Sequence, residues 1–209
     1  MTRELKILVL IAILIIPACI YTFLRTFGEN EFSLPVFPVG ELKGPPLSSE
    51  NEKQDYKMVF PNLYDVEGHI FNQESLAGDI LILEIVAPDD DITRRNYQLN
   101  RIADIFSDVN NVHLLRIIEK GNTNHPDYGT YKGKNANTTV CYSDHEATKT
   151  LTDLLFKTGE NKDRTRGTGQ LVLIDTERKV RGFYNVNEFE EMDRLILEVK
   201  ILLTQNADV

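Results

Sequence analysis

A mostly apolar run that ends at an acidic turn constrains the fold of this chain more than any other feature. The sequence ILILEIVA, residues 80–87, contains one charged residue and is followed by Pro88 and three consecutive aspartates. A run of this length, bounded by turn residues, predicts a strand buried in a sheet. A helical pattern begins directly afterwards. The strand's carboxyl end therefore meets a helix's amino end, a position where functional groups of α/β proteins converge.

Strand and helix patterns alternate from residue 56 onward. Residues 91–109, DITRRNYQLNRIADIFSDV, carry apolar side chains on one face at helical spacing, with Asp91 as the expected N-cap. Two later segments have the same helical pattern: HEATKTLTDLLFKTG (145–159) and EFEEMDRLILEVKILLTQ (188–205). Six short segments have strand patterns, the first two and the last two as hairpins: YKMVF, HIFN, VHLLRIIE, TTVCYSD, GQLVLID and KVRGFYN. Periodicity alone predicts an α/β fold with one sheet covered by helices. The order matches the thioredoxin-like arrangement, a central mixed sheet with helices on both faces, with an added N-terminal β-hairpin, and the motifs described below are needed for that more specific prediction.

The amino-terminal segment predicts a membrane anchor. Residues 7–24, ILVLIAILIIPACIYTFL, hold no charged side chain and would span about 27 Å as a helix at ~1.5 Å per residue. Basic residues precede this segment and acidic ones follow it, so residues 1–6 are predicted to be cytoplasmic and the domain to lie outside. Two alternatives remain open: a cleaved signal peptide, and a lipoprotein modified at Cys19.

A tether is predicted to connect this anchor to the domain. Residues 25–55 contain four prolines among glycine, serine and acidic residues, which indicates an extended chain, and residues 56–209 form the predicted domain. The net charge of −9 and the pI near 5.0 exclude a protein that reads the nucleic-acid backbone. The two cysteines are too few for an intramolecular disulfide framework.

Several segments, in order, resemble the Sco/SenC family, membrane-tethered thioredoxin-like proteins associated with copper delivery to cytochrome c oxidase. The anchor and proline-rich tether match, as does FPNLYDVEGHIFNQESLAGDILILEIVAPDD, which stands where the family has its F-x-L-x-D-x-x-G … L-x-G-K lead into the central strand. LTDLLFKTG also matches. GQLVLIDTERKVRGFYN is similar to the family's F-V-L-I-D-x-x-G-x-I-R-G-x-Y. The resemblance implies a bacterial inner-membrane protein with a single span and a periplasmic domain.

The same resemblance implies a Cu(I) site that this sequence cannot form. The family's two cysteines and one histidine make a soft site whose dithiol can also cycle to a disulfide. Aligned on Pro88, the pattern puts Ala87 and Asp91 at the cysteine positions, and counting back from Asp175 puts Gly167 at the histidine position. No cysteine lies between Cys19 and Cys141, so the absence of the pair holds in any register.

A few residues remain as candidates for chemistry. The aspartates at 89–91 are interpreted as a helix start, with a hard-cation site as the alternative. Cys141 and His145 are weak substitute metal ligands, and Cys141 alone is an alternative reactive thiol. Their other reading is a buried small side chain and a solvated helix start. The histidines at 69, 113 and 125 are interpreted as structural or solvated.

The predicted function is therefore that of a non-redox accessory or binding factor related to cytochrome c oxidase assembly. The expected partners are the membrane and either respiratory oxidase subunits or a metal-competent relative, with no nucleic acid and no bound cofactor. The alternative is a copper chaperone that uses the substitute ligands Asp91, Cys141 and His145. Thiol-disulfide oxidoreductase activity is not expected, because the predicted domain contains only one cysteine.

Overall fold

The structure is a computed structural model that describes residues 4, 13–23, 34–37, 39, 57–86, 92–120, 137–156 and 169–207. The chain separates into two compact units, Met1–Ser33 and Leu34–Val209. In the first unit residues 13–23 are helical and exposed, and the rest of the predicted anchor lies outside the described residues. Within the described part of the chain, no helix combines the length and the apolar character needed to cross a bilayer.

The second unit contains the strands and helices that the sequence patterns predict. The strands are β1 (Ile80–Val86), β2 (Val112–Glu119), β3 (Thr138–Ser143), β4 (Gln170–Ile174) and β5 (Val180–Asn185). The helices are α1 (Ile92–Ile105), α2 (His145–Phe156) and α3 (Phe189–Ala207), and a short 3-10 helix (Gln73–Leu76) precedes β1. The predicted strand VHLLRIIE coincides with β2, and the remaining boundaries differ from the predicted ones by a few residues.

The sheet has the mixed topology of a thioredoxin-like domain. Its strand order is β3-β2-β1-β4-β5, with β1 in the centre. The pairs β1–β2 and β2–β3 are parallel, whereas β1–β4 and β4–β5 are antiparallel. The carboxyl ends of the three parallel strands therefore meet at one edge, where Val86, Ile118 and Tyr142 lie in one row.

Both faces of β1 are buried, which explains its apolar sequence. Leu81 and Leu83 join the core beneath α2, whereas Ile80 and Ile82 pack into the core beneath α1 and α3. All four side chains are fully buried, and each contributes about 1.5–3 kcal/mol relative to exposure to water. The period-2 alternation of a strand thus distributes one apolar run between two cores.

The predicted N-terminal hairpin is present, but its first arm is not YKMVF. Backbone hydrogen bonds join Phe71 to Leu63 and Asp65 to His69, around a bridge between Tyr64 and Ile70. The arms are therefore short, and YKMVF pairs instead with the β4–β5 turn, where the Met58 N–H donates to the Arg178 carbonyl at 2.7 Å. The second arm and the turn DVEGH lie where they were predicted.

Isolated bridges cover both outer strands of the sheet. Tyr64 pairs with Tyr142 on β3 through two backbone hydrogen bonds of 2.8 and 2.7 Å. On the opposite side Phe37 pairs with Val180 of β5, and its ring packs edge-on against Phe183. The compact unit therefore includes part of the predicted tether, because the partly buried Phe37 packs against β5. Such coverage blunts edges that would otherwise pair with another chain.

The β4–β5 hairpin contains the segment that most resembles the Sco/SenC pattern. Asp175, at the end of β4, accepts a hydrogen bond from Arg181 Nε at 2.6 Å, and the same guanidinium donates to the Leu34 carbonyl. Gly182 leaves room for the ring of Tyr184, since a Cβ at this glycine would lie 2.1 Å from the tyrosine hydroxyl. The Tyr184 hydroxyl donates to Glu198 of α3.

Arg178 occupies the glycine position of the same pattern. Its φ is 68°, in the left-handed region that favours glycine. The guanidinium donates to the carbonyls of Gln73 and Leu76, at 3.2 and 3.0 Å. These contacts join the β4–β5 turn to the 3-10 helix that precedes β1.

Candidate functional site

The junction after β1 is the position at which the sequence predicts that the cysteine pair of the family is replaced. The described part of β1 ends at Val86, and α1 begins at Ile92. Ala87, Asp91 and Gly167, the three residues at the expected ligand positions, lie outside the described residues, and so does the predicted N-cap role of Asp91. The junction's base, formed by β1, β2 and α1, is described in full.

That base holds three buried charged side chains. Glu84 and Arg116 stand opposite each other in the β1–β2 ladder, and Arg116 Nε donates to Glu84 Oε2 at 2.5 Å. Arg95 of α1 approaches the other carboxylate oxygen, with Nε 3.2 Å from Oε1. All three residues are at most 3% exposed. Their ion pairs connect α1 to β1 and β2 at the base of the junction. The sequence alone did not predict this arrangement. The signals in the sequence were Glu84 within ILILEIVA and Arg116 within VHLLRIIE, each a charged residue inside an apolar run.

The donor set at the junction does not fit the Cu(I) that the fold family implies. Cu(I) prefers soft thiolate ligands, whereas the expected ligand positions provide a methyl group at Ala87, a carboxylate at Asp91 and a hydrogen at Gly167. The buried charged side chains that β1, β2 and α1 bring together are one carboxylate and two guanidinium groups. Guanidinium groups stay protonated in proteins and do not ligate metals. We therefore derive no copper chemistry at this junction.

Cys141 is a buried core residue of β3. Its side chain is 0% exposed and belongs to the core beneath α2. Burial, together with the negative charge of Asp65, raises the pKa of the thiol to about 12. The thiolate is the nucleophile and the metal ligand, so at neutral pH this cysteine is held in its unreactive form.

We expect Cys141 to resist thiol reagents in the folded chain. With a pKa of about 12, only about one thiol in ten thousand is ionised at pH 8. In a Cys19→Ser variant, Ellman's reagent should label no thiol within an hour in buffer and one thiol immediately in guanidinium chloride.

The same shift of the pKa has a consequence for stability. Between pH 9, the ordinary pKa, and pH 12 only the unfolded chain ionises this thiol, so the contribution of Cys141 to stability should fall as pH rises. A Cys141→Ala variant should lack this component of the pH dependence.

Rapid labelling of the folded Cys19→Ser chain at pH 8 would contradict the expected burial.

His145 lies in a different environment from Cys141. It begins α2 with a side chain that is 81% exposed, and its Nδ1 lies 2.8 Å from Glu119 Oε1 at the end of β2. Asp144 caps the helix, because its Oδ1 accepts the backbone N–H of Ala147 at 2.7 Å. One suggested ligand thus points into a core and the other into solvent. The described part of the chain does not assemble them into a site.

A group of donors that the sequence reasoning did not single out lies on the DVEGH turn. Asp65, Glu67 and His69 each offer one ligand atom, and these atoms lie within 4.8 Å of one another. His69 had been interpreted as structural or solvated. The signal was present in the alternation of acid, acid and histidine across a predicted turn, although spacing alone does not show that the three side chains converge.

The fold is that of a thioredoxin-like domain. Because residues 56–209 contain one cysteine, this domain has no dithiol. Solved structures of Sco proteins are among those similar to it. A SCO1/SenC family lipoprotein from Bacillus anthracis str. Ames matches with a TM-score of 0.55 at 12% identity, over 70% of this chain and 95% of that one. BsSco, a member of the Sco family of cytochrome c oxidase assembly proteins with an identified disulfide switch, matches with a TM-score of 0.53 at 14% identity, over 68% of this chain and 91% of that one.

These structural matches confirm the predicted resemblance at the level of the fold. No family model matches the sequence, and no curated protein matches it. At such low identity the likeness establishes architecture and not chemistry, because one fold hosts many functions. Function therefore has to be argued from the residues of this chain.

Proposed function

We propose that this chain is a Sco/SenC-type accessory protein that acts by binding, within the assembly of cytochrome c oxidase, and carries neither the copper site nor the dithiol of the family. It is anchored in the bacterial inner membrane by residues 7–24, with the domain in the periplasm. The observation that carries the proposal is a Sco-like fold whose one cysteine, Cys141, is buried in a core.

Thiol chemistry is disfavoured on stoichiometric grounds. A dithiol-disulfide cycle within one domain needs two thiols that can reach each other. This domain has one cysteine, and its thiol is fully buried. The copper-chaperone alternative gains no support from Cys141 and His145, since these side chains lie in different environments.

Retention of the architecture supports a role in binding. The fold matches that of Sco structures, although the residues at the expected ligand positions differ from the family pattern. Such a domain can still present the surface that a Sco partner recognises. The junction around Ala87 and Asp91 is the part of that surface we assign to the partner, either an oxidase subunit or a cysteine-bearing Sco relative.

Co-purification from membranes tests the proposal. The full chain, captured from solubilised membranes of its native host, should recover oxidase subunits or a cysteine-bearing Sco relative. An Asp90→Lys variant should recover several-fold less, because it reverses a charge in the junction. Asp108→Lys is the matched control, since it makes the same change at an exposed position beyond the other end of α1 and should leave recovery unchanged.

Two outcomes would overturn the proposal. One is recovery of neither kind of partner, or equal recovery by the Asp90→Lys and Asp108→Lys variants. The other is tight stoichiometric binding of Cu(I) by the purified chain that is abolished by Cys141→Ala or His145→Ala, which would establish the chaperone alternative. Competition with a chromophoric Cu(I) chelator measures the latter directly.

A further inference from the structure

Three donor side chains converge at the tip of the N-terminal hairpin. His69 Nδ1 lies 3.5 Å from Asp65 Oδ2 and 3.5 Å from Glu67 Oε2. Two ligands that each lie about 2.1 Å from a tetrahedral zinc ion are separated by about 3.4 Å. The imidazole nitrogen is therefore spaced from both carboxylates as ligands around one ion would be.

We infer that Asp65, Glu67 and His69 form a surface site for a divalent transition-metal ion such as Zn²⁺. One imidazole nitrogen and two carboxylate oxygens are borderline-to-hard donors, which suit Zn²⁺ and not Cu(I). The three side chains are solvent-facing, so water completes the coordination and the ion exchanges with solvent. This is a site of three protein ligands with an open position, unlike a closed structural zinc site.

The local backbone holds Asp65 in position for this role. Its Oδ1 accepts the backbone N–H groups of Glu67 and His69, both at 2.9 Å, which leaves Oδ2 directed at the imidazole. Hydrogen bonds of this kind orient a ligating carboxylate before the metal arrives.

The hairpin that carries the site is fixed to the sheet. Tyr64 is hydrogen-bonded in both directions to Tyr142 of β3, and the ammonium of Lys120 lies 3.9 Å from the centre of the Tyr64 ring. The Asp65–His69 backbone bond closes the turn. A ligand set on an anchored hairpin loses less conformational entropy on binding than one on a free loop.

The site is separate from the junction after β1. Val86, Ile118, Tyr142 and Tyr64 lie in one row across the sheet, so three inter-strand steps, about 14 Å in all, separate Tyr64 from β1. Metal binding at the hairpin therefore does not depend on the proposed role of the junction, and each can fail without the other.

Zinc titration of the full chain, purified in detergent without an affinity tag, tests the inference. We expect one Zn²⁺ per chain in competition with a chromophoric chelator, and His69→Ala should weaken binding by at least ~10-fold. Asp65→Asn should weaken it comparably while keeping the Oδ1 acceptor that holds the turn. Zn²⁺ should also shift or broaden the His69 ring proton resonances in the NMR spectrum.

His145→Ala is the matched control. His145 is similarly exposed, at 81% against 73% for His69, and likewise lies beside a carboxylate, so its removal should leave zinc affinity unchanged. Retention of the native circular-dichroism spectrum shows that each variant is folded. Absence of stoichiometric zinc binding, binding that His69→Ala leaves intact, or equal losses in the His69→Ala and His145→Ala variants would each overturn the inference.

Discussion

Replacing Glu84 with glutamine is expected to lower the free energy of unfolding by about 3–5 kcal/mol. Glutamine keeps the size of the side chain and one hydrogen-bond acceptor, but it removes the negative charge that faces Arg95 and Arg116. Both guanidinium groups are buried, so each loses its ionic partner in a region of low polarity. Urea denaturation followed by circular dichroism measures the change.

A matched control separates burial from ion pairing as such. Asp193→Asn breaks the pair between Asp193 and Arg101, in which the aspartate side chain is 64% exposed. Exposed pairs contribute about 0–1 kcal/mol, so this variant should be nearly as stable as the parent chain. A loss below 1 kcal/mol for Glu84→Gln, or similar losses for the two variants, would show that the buried charges do not stabilise the junction base.

Gly182→Ala is expected to cost about 3 kcal/mol of stability through displacement of Tyr184. The new Cβ would lie 2.1 Å from the tyrosine hydroxyl and 2.5 Å from the ring carbon that bears it. Tyr184 is fully buried, and burial with the hydrogen bond to Glu198 raises the pKa of its hydroxyl above the usual value. The ring must move or β5 must shift, and either change breaks the contact with α3.

A double-mutant cycle identifies the cause of that loss. In a Tyr184→Ala background no ring lies over Gly182, so the added methyl group should cost much less there than in the parent chain. Gly78→Ala serves as a second reference, since Gly78 has a φ of 85° but open space around its Cβ position, and backbone strain alone should cost about 1–2 kcal/mol. Additive effects in the cycle would rule out the steric explanation.

Most of the fold could be predicted because it follows from local apolar patterns. Local apolar spacing predicts which side chains are buried without reference to distant residues. This holds for the run at β1, for the helical spacing of α1 and α3, and for the paired strands β4 and β5. The segment YKMVF has the composition of a strand, but its pairing partner is the β4–β5 turn much later in the chain, and composition does not reveal that partner. The packing of Phe37 on β5 depends on residues far along the chain, and tether composition does not reveal it.

The polar groups of the structure could not be predicted in the same way. Glu84, Arg95 and Arg116 come from three elements, and their contact exists only once β1, β2 and α1 are assembled. The convergence of Asp65, Glu67 and His69 depends on the closed turn. Sequence spacing can bring such residues near one another, but it does not specify the direction of their side chains.

The segment that most supports the Sco/SenC resemblance turns out to have a structural role. In GQLVLIDTERKVRGFYN the aspartate and arginine pair across the hairpin, and the glycine accommodates the tyrosine ring. None of these residues is a copper ligand in the family pattern. Selection for folding alone would retain this segment, so its presence is compatible with loss of the ligands at Ala87, Asp91 and Gly167.

The left-handed Arg178 links two parts of the chain that are about one hundred residues apart. Its guanidinium holds the carbonyls of Gln73 and Leu76, whereas a glycine in its place would adopt the same backbone conformation with less strain and make neither contact. The 3-10 helix before the central strand and the β4–β5 turn are consequently joined. We therefore expect these two segments to open together, so that fluctuations at this end of the sheet involve both.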